Sequence, residues 1–177
     1  YDTVWVNDCG FICLEPQALP EPYLTAEMSM LRSFPVIAPA FMSHYEVNLF
    51  NGNGIWVNKK PDCTEIRWKL SVAPYYSSSH ADFSLILYPD GRFAFRYGEM
   101  NYPAGLSHIY SGVSKGDDQR HQLQFHADGG DLSGRTLIFF PQILPEGIRI
   151  TADGWLELDE PDPFRSYEIT LRATDAR

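Results

Sequence analysis

The stretch Asp82 to Tyr97, DFSLILYPDGRFAFRY, constrains this chain more than any other. Two alternating apolar runs flank Pro89-Asp90-Gly91, and Asp-Gly between such runs is a strong short-range signal for a β-hairpin. Successive side chains of a strand point to opposite faces. Phe83, Leu85 and Leu87 therefore share one face, while Ser84, Ile86 and Tyr88 share the other. Beyond the turn, Phe93, Phe95 and Tyr97 share a face opposite to that of Arg92, Ala94 and Arg96. A hairpin this apolar on one side has to be covered by a second layer of structure.

The neighbouring segments repeat the pattern. Thr64 to Val72 alternates most cleanly, with Ile66, Trp68, Leu70 and Val72 facing inward and Glu65, Arg67, Lys69 and Ser71 facing out. Tyr1–Asn7 and Phe11–Leu14 flank the turn Asp8-Cys9-Gly10, and Phe34 to Pro39 is extended because residues before proline avoid the helical region. His44–Phe50 and Ile55–Asn58 flank Asn51-Gly-Asn-Gly. Tyr110–Ser114, Gln122–His126 and Arg135–Phe140 are further strands. Only Thr25 to Arg32, with Thr25 as N-cap, reads as a turn or two of helix. Short strands with turn signals at intervals of roughly ten residues predict an all-β fold, an antiparallel β-sandwich with short hairpins and at most one short helix. The composition shifts at Pro141–Pro145. The expected division is a sandwich over 1–142 and a partial β segment over 143–177, too short to stand alone and packed on the sandwich or completed by another chain.

A chain of 177 residues with 44% apolar side chains can bury a core of its own, which excludes general disorder. Its net charge of −9 argues against binding nucleic acid through phosphates. No apolar run reaches the ~18 residues a membrane-spanning helix needs. The chain opens on strand-like YDTVWVN without an initiator Met, and is expected to be a processed or excised piece.

Cys9, Cys13 and Cys63 make an odd count. In an oxidising compartment this reads as one disulfide plus a free or intermolecular thiol. On one straight strand Cys9 and Cys13 would lie roughly 13 Å apart, too far to bridge, so a pair involving Cys63 is expected. Nothing in their spacing suits zinc.

Several patterns touch on catalysis or binding. Gly112-Val-Ser114-Lys-Gly116 matches G-x-S-x-G, with His121 and Asp117 or Asp118 close in sequence. A nucleophile elbow runs from strand to turn to helix, whereas this turn runs into the strand-like Gln122–His126. The pattern reads as a β-turn, with an esterase using Ser114 as the weaker alternative. His44, His80, His108, His121 and His126 read as surface or loop residues rather than metal ligands. No spacing among the acidic residues singles out a glycosidase pair. Asp128, Asp131 and Asp153 sit in glycine-rich turns of the kind that build structural calcium sites, though no EF-hand pattern accompanies them. No other cofactor is implied. Trp5, Trp56, Trp68 and Trp155 raise the idea of a sugar-stacking platform, but Trp56 and Trp68 are expected in the core. Tyr75 and Tyr76, beside three serines, are the better candidates for an exposed aromatic ligand surface.

Taken in order, these motifs resemble the NIDO-like domains named for nidogen and alpha-tectorin. YDTVWVNDCGFICL is similar to their opening hairpin and Val36-Ile37-Ala38-Pro39 to their "IAPF" stretch. Ile66-Arg67-Trp68 stands where the family has a strand ending in Trp. DFSLILYPDGRFAFRY resembles their "LypdG" hairpin, Ser111–Gly116 their "vGisnG" turn and SGRTLIFFP their closing strand. Cys9 stands at the usual Asn of the opening turn, and Ser43-His44 replaces an Asp common after "IAP". The tail LPEGIRITADGWLELDEPDPFRSYEITLRATDAR resembles the later strands of an Ig or cadherin-like repeat. Pro161 stands where the calcium-binding motif of such repeats has Glu, so no calcium site is carried over. The resemblance implies an extracellular or cell-surface location and a non-catalytic role in adhesion or structural assembly. Since the strands that usually precede "Ydtv" are missing, it also implies an open sheet edge beside Tyr1–Asn7, covered by another protein chain or by oligomerisation. A carbohydrate-binding β-sandwich of a secreted protein, with glycans as ligands, is the alternative.

Overall fold

The hairpin expected between Asp82 and Tyr97 forms the middle of a sheet. The structure, a computed structural model, describes residues 3–15, 28–42, 45–48, 52–72, 79–101, 109–126, 132–140, 148–150 and 156–158. Its elements are β1 (Trp5–Asn7), β2 (Phe11–Cys13), α1 (Met28–Arg32), β3 (Pro35–Phe41), β4 (Tyr45–Glu46), β5 (Gly54–Lys59), β6 (Thr64–Val72), β7 (His80–Leu87), β8 (Phe93–Asn101), β9 (Ile109–Lys115), β10 (His121–His126), β11 (Thr136–Phe139), β12 (Ile148–Ile150) and β13 (Leu156–Leu158). One sheet runs β1-β2-β3-β9-β10; the other runs β11-β8-β7-β6, with β4 and β5 sharing the far edge of β6. Every described strand pairing is antiparallel. The two sheets pack face to face, so the expected antiparallel β-sandwich is the fold.

The alternation read from the sequence places the core correctly. Ile66, Trp68, Leu70 and Val72 of β6, Phe83 and Leu85 of β7, and Phe95 and Tyr97 of β8 are all buried in one cluster, which Ile12, Ala40, Met42 and Ile109 of the opposite sheet complete. Trp68 stacks on Phe83 with ring centroids 5.4 Å apart, and its indole Nε1 donates to the Asn7 carbonyl at 2.8 Å. The Tyr97 hydroxyl donates to the Pro39 carbonyl at 2.7 Å. These two bonds satisfy the polar ends of large inward-facing rings and tie one sheet to the other. At the hairpin tip, the Asp90 carboxylate accepts from the Arg92 backbone N–H and from Arg92 Nε, and Gly91 adopts φ 85°, so Asp90-Gly91 serves as turn chemistry.

Three details differ from the expectation. Glu65 and Ser71 do point away from the core, yet both are buried. In the first sheet β2 and β3 are buried on both faces, because Phe11, Cys13, Val36, Ala38 and Phe41 gather beneath Leu31 of α1 in a second cluster. Of the segment expected to be a strand from His44 to Phe50, the described residues are 45–48, and among them Tyr45–Glu46 form a strand. The helix begins at Met28, and the expected N-cap Thr25 lies outside the described residues. In the tail, Ile148 pairs with Leu158 and Ile150 with Leu156, a two-stranded sheet of its own. No helix among the described residues is long and apolar enough to cross a membrane.

Candidate functional site

The outer face of the six-stranded sheet carries a groove of about 510 Å³ lined by Trp56, Val57, Asn58, Glu65, Arg67 and Arg96. Strand register builds it. Trp56 of β5 lies opposite Arg67 of β6, Arg67 opposite Ser84 of β7, and Ser84 opposite Arg96 of β8, so these four form one row across the sheet. The next row runs Asn58, Glu65, Ile86, Ala94 and, on β11, Ile138. Residues directly opposite on antiparallel strands share a face, and so the row order follows from sequence once the pairing is known.

Charges in the groove are arranged rather than scattered. Arg67 grips Asp82 with two parallel bonds, Nε to Oδ1 at 2.8 Å and Nη2 to Oδ2 at 2.5 Å. Glu65, whose side chain is 9% exposed, accepts from Lys60 Nζ at 3.0 Å and from Arg96 Nη2. Burial opposes ionisation of Glu65, but the Lys60 ammonium, the Ser84 hydroxyl and the Arg96 guanidinium outweigh it and hold the carboxyl below its usual range. The Asp82 carboxylate pushes Arg67 further up. Over this floor stands Trp56, 46% exposed. Its indole leans over Gly54, where any Cβ would come within 2.9 Å of the ring. The bare glycine lets the ring lie against its own strand.

Sequence reasoning missed this site for a definite reason. Ile55-Trp56-Val57 is a continuous apolar run, so its phase is ambiguous and Trp56 was expected in the core. Pairing with β6 resolves the phase: Trp56 falls opposite Arg67 and faces out. Trp68, by contrast, is in the core as expected and wholly buried. Trp5, on β1, is exposed, and Trp155 lies outside the described residues.

The other candidates are placed as follows. Ser114 is buried in β9, where its hydroxyl donates to the Arg32 carbonyl at 3.1 Å and accepts from the Gly116 N–H at 3.1 Å. Gly112 at φ 140° and Ser114 lie within β9, Gly116 at φ 81° begins the turn that follows it, and the chain continues into β10 as a strand, so G-x-S-x-G is here the end of a strand and the start of a turn rather than a strand-to-helix elbow. His121 sits opposite Ser114 on the neighbouring strand, but Ser114 makes its bonds to backbone. Asp117 accepts from the backbone N–H groups of Gln119 and Arg120 and from Arg120 Nε, which holds its carboxyl down at about 2. A serine–histidine contact that the sequence did not single out joins Ser111 Oγ to His126 Nε2 at 2.8 Å, with both residues buried. His80 meets Glu99 at 3.2 Å, while His44 and His108 lie outside the described residues.

All three cysteines are free, and the disulfide expected for Cys63 is not formed. Cys9 and Cys13 are buried in the cluster under α1, whereas Cys63 lies in the β5–β6 turn of the other sheet, where its carbonyl accepts from the Lys60 N–H. Burial, together with the neighbouring Asp8 carboxylate, pushes the Cys9 thiol up to about 12. Tyr75, Tyr76, Asp128, Asp131 and Asp153 lie outside the described residues. Among the described residues, no group of three or more His, Cys, Asp or Glu side chains is placed to hold a metal ion. At the sheet edge, β1 pairs with β2 alone among the described strands, and its Trp5 and Val6 are exposed. No family model, no curated protein and no solved structure matches the chain.

Proposed function

We propose that this chain is a non-catalytic extracellular module that serves adhesion or the building of a larger assembly, recruiting a strand of another chain at the free edge of β1. The observation that carries this reading is the edge itself. Among the described residues, β1 is bonded along one side only, and it bears two exposed large apolar side chains, Trp5 and Val6. Long-lived sheet edges are normally blunted by charge, proline or a bulge, and Trp5-Val6-Asn7 carries none of these. An unprotected edge of this kind pairs with an added strand through main-chain bonds. The NIDO-like order of motifs supports the same reading, as does the β12–β13 hairpin at the position expected for late strands of a cadherin-like repeat.

Sedimentation velocity combined with amide exchange tests it. The expected result is self-association that slows exchange across β1 and is abolished by Val6→Pro, which removes a backbone donor and blocks strand pairing. A strictly monomeric species whose β1 amides are already protected by the chain's own residues would overturn the proposal.

A further inference from the structure

The groove on the outer face of the six-stranded sheet asks for a ligand of a particular kind, independently of what pairs with β1. Its charge runs against the molecule. The chain carries −9 overall, yet the groove and its floor hold Lys60, Arg67 and Arg96 against Glu65 and Asp82, a local excess of cation. Lys69 stands in the adjoining row, directly opposite Asp82, and Glu99 lies further along β8 against His80. A guanidinium has five N–H donors. Among the described residues, Arg67 spends two on Asp82 and Arg96 one on Glu65, while both side chains are about half exposed at 48% and 51%. Most of their donors therefore face solvent, already held in place by the carboxylates behind them.

The third component is the indole. Trp56 presents an apolar ring in the same row as the two arginines. Strands lie about 4.8 Å apart, so this row sets Arg67 one strand from Trp56 and Arg96 three strands away, about 14 Å at the backbone. An aromatic face beside planar donor forks suits a ring with an apolar C–H face that carries a carboxylate. A simple anion would not use the indole, and a neutral sugar would not use the forks. We infer that this groove binds an acidic saccharide, with a pyranose ring stacked on Trp56, its carboxylate on Arg67, and the next carboxylate along the chain on Arg96. The uronic-acid carboxylate is the group assigned to the forks, because it matches a planar guanidinium bidentately.

Isothermal titration of the intact chain with three oligosaccharides of equal length tests the assignment: a hexuronic-acid oligomer, a sulfated but carboxylate-free oligomer and a neutral one. Binding is expected for the hexuronate alone and should weaken as salt rises. Trp56→Ala should lower affinity at least tenfold, with Trp56→Phe retaining much of it, and Arg67→Gln should weaken it while leaving the protein folded by circular dichroism. Gly54→Ala supplies an independent check: it keeps every binding group but pushes on the indole, and it should also weaken binding. Failure of the hexuronate to bind, equal binding of the neutral oligomer, preference for the sulfated one, or binding unchanged in Trp56→Ala would each overturn the inference.

Discussion

Glu65 is the residue on which the outer face depends. A carboxylate that is 9% exposed is costly to bury unless paired, and two cations and the Ser84 hydroxyl supply the pairing. Removing its charge leaves Lys60 and Arg96 without their partner, so Glu65→Gln should cost about 1–3 kcal/mol in urea unfolding. The pH dependence has a fixed sign. The folded carboxyl lies below its ordinary value of 4.5, so the unfolded chain takes up the proton first. Glu65 therefore stabilises the fold fully above that ordinary value, and the contribution drains away as the pH falls through the folded value. The stability gap between the native protein and Glu65→Gln should narrow in acid; a gap that stays constant with pH would show that the charge is not what matters at this position. At this scale the sequence was legible wherever alternation was strict. Phe83, Leu85, Phe95 and Trp68 lie where the two-residue period puts them. It was not legible for Glu65, which the period assigned to the solvent side, because burial on that side comes from polar neighbours on three other segments: the cations Lys60 and Arg96 and the Ser84 hydroxyl.

Among the elements, β9 and β10 show how a motif with one chemical appearance can serve another purpose. At Gly112 an added Cβ would lie 1.9 Å from the Gln122 carbonyl oxygen, at φ 140°, which side chains rarely adopt. The close approach lets β10 pair with β9 from His121 to His126 while β3 pairs with its other side. Gly112→Ala has to break one of these contacts, and the expected loss is about 3 kcal/mol or more by thermal or urea denaturation, from backbone strain and steric displacement together. A loss below about 1 kcal/mol would mean that the ladder shifts freely, contrary to the register described. The β-turn read from this stretch holds for Gly116, which follows β9, but Gly112 sits inside the strand. The cluster beneath α1 was not foreseen, because a strand buried on both faces loses the alternation that reveals its phase. Phe11-Ile12-Cys13 and Val36-Ile37-Ala38 are apolar throughout, and only their pairing separates the inner members, Ile12 and Ile37, from the outer ones. Trp56 escaped notice through the same ambiguity.

Across the whole molecule the two sheets differ in how they are wired. In the six-stranded sheet β6, β7 and β8 are consecutive hairpins, with Leu85 meeting Phe95 across a single turn. In the other sheet Val36 of β3 meets Ser114 of β9 across most of the described chain. Closing long loops costs conformational entropy before the contacts form, so local hairpins are expected to assemble first and distant pairings last. This order predicts a polarised transition state. Leu85→Ala, in the β6–β8 meander, should slow folding in proportion to the stability it removes, whereas Val36→Ala, at the junction of β3 and β9, should act mainly by speeding unfolding. Stopped-flow chevrons of the two variants measure the difference directly. Similar values at both positions would mean that the sheets condense together, and that the hairpin from Asp82 to Tyr97, although the most legible part of the sequence, does not nucleate the fold.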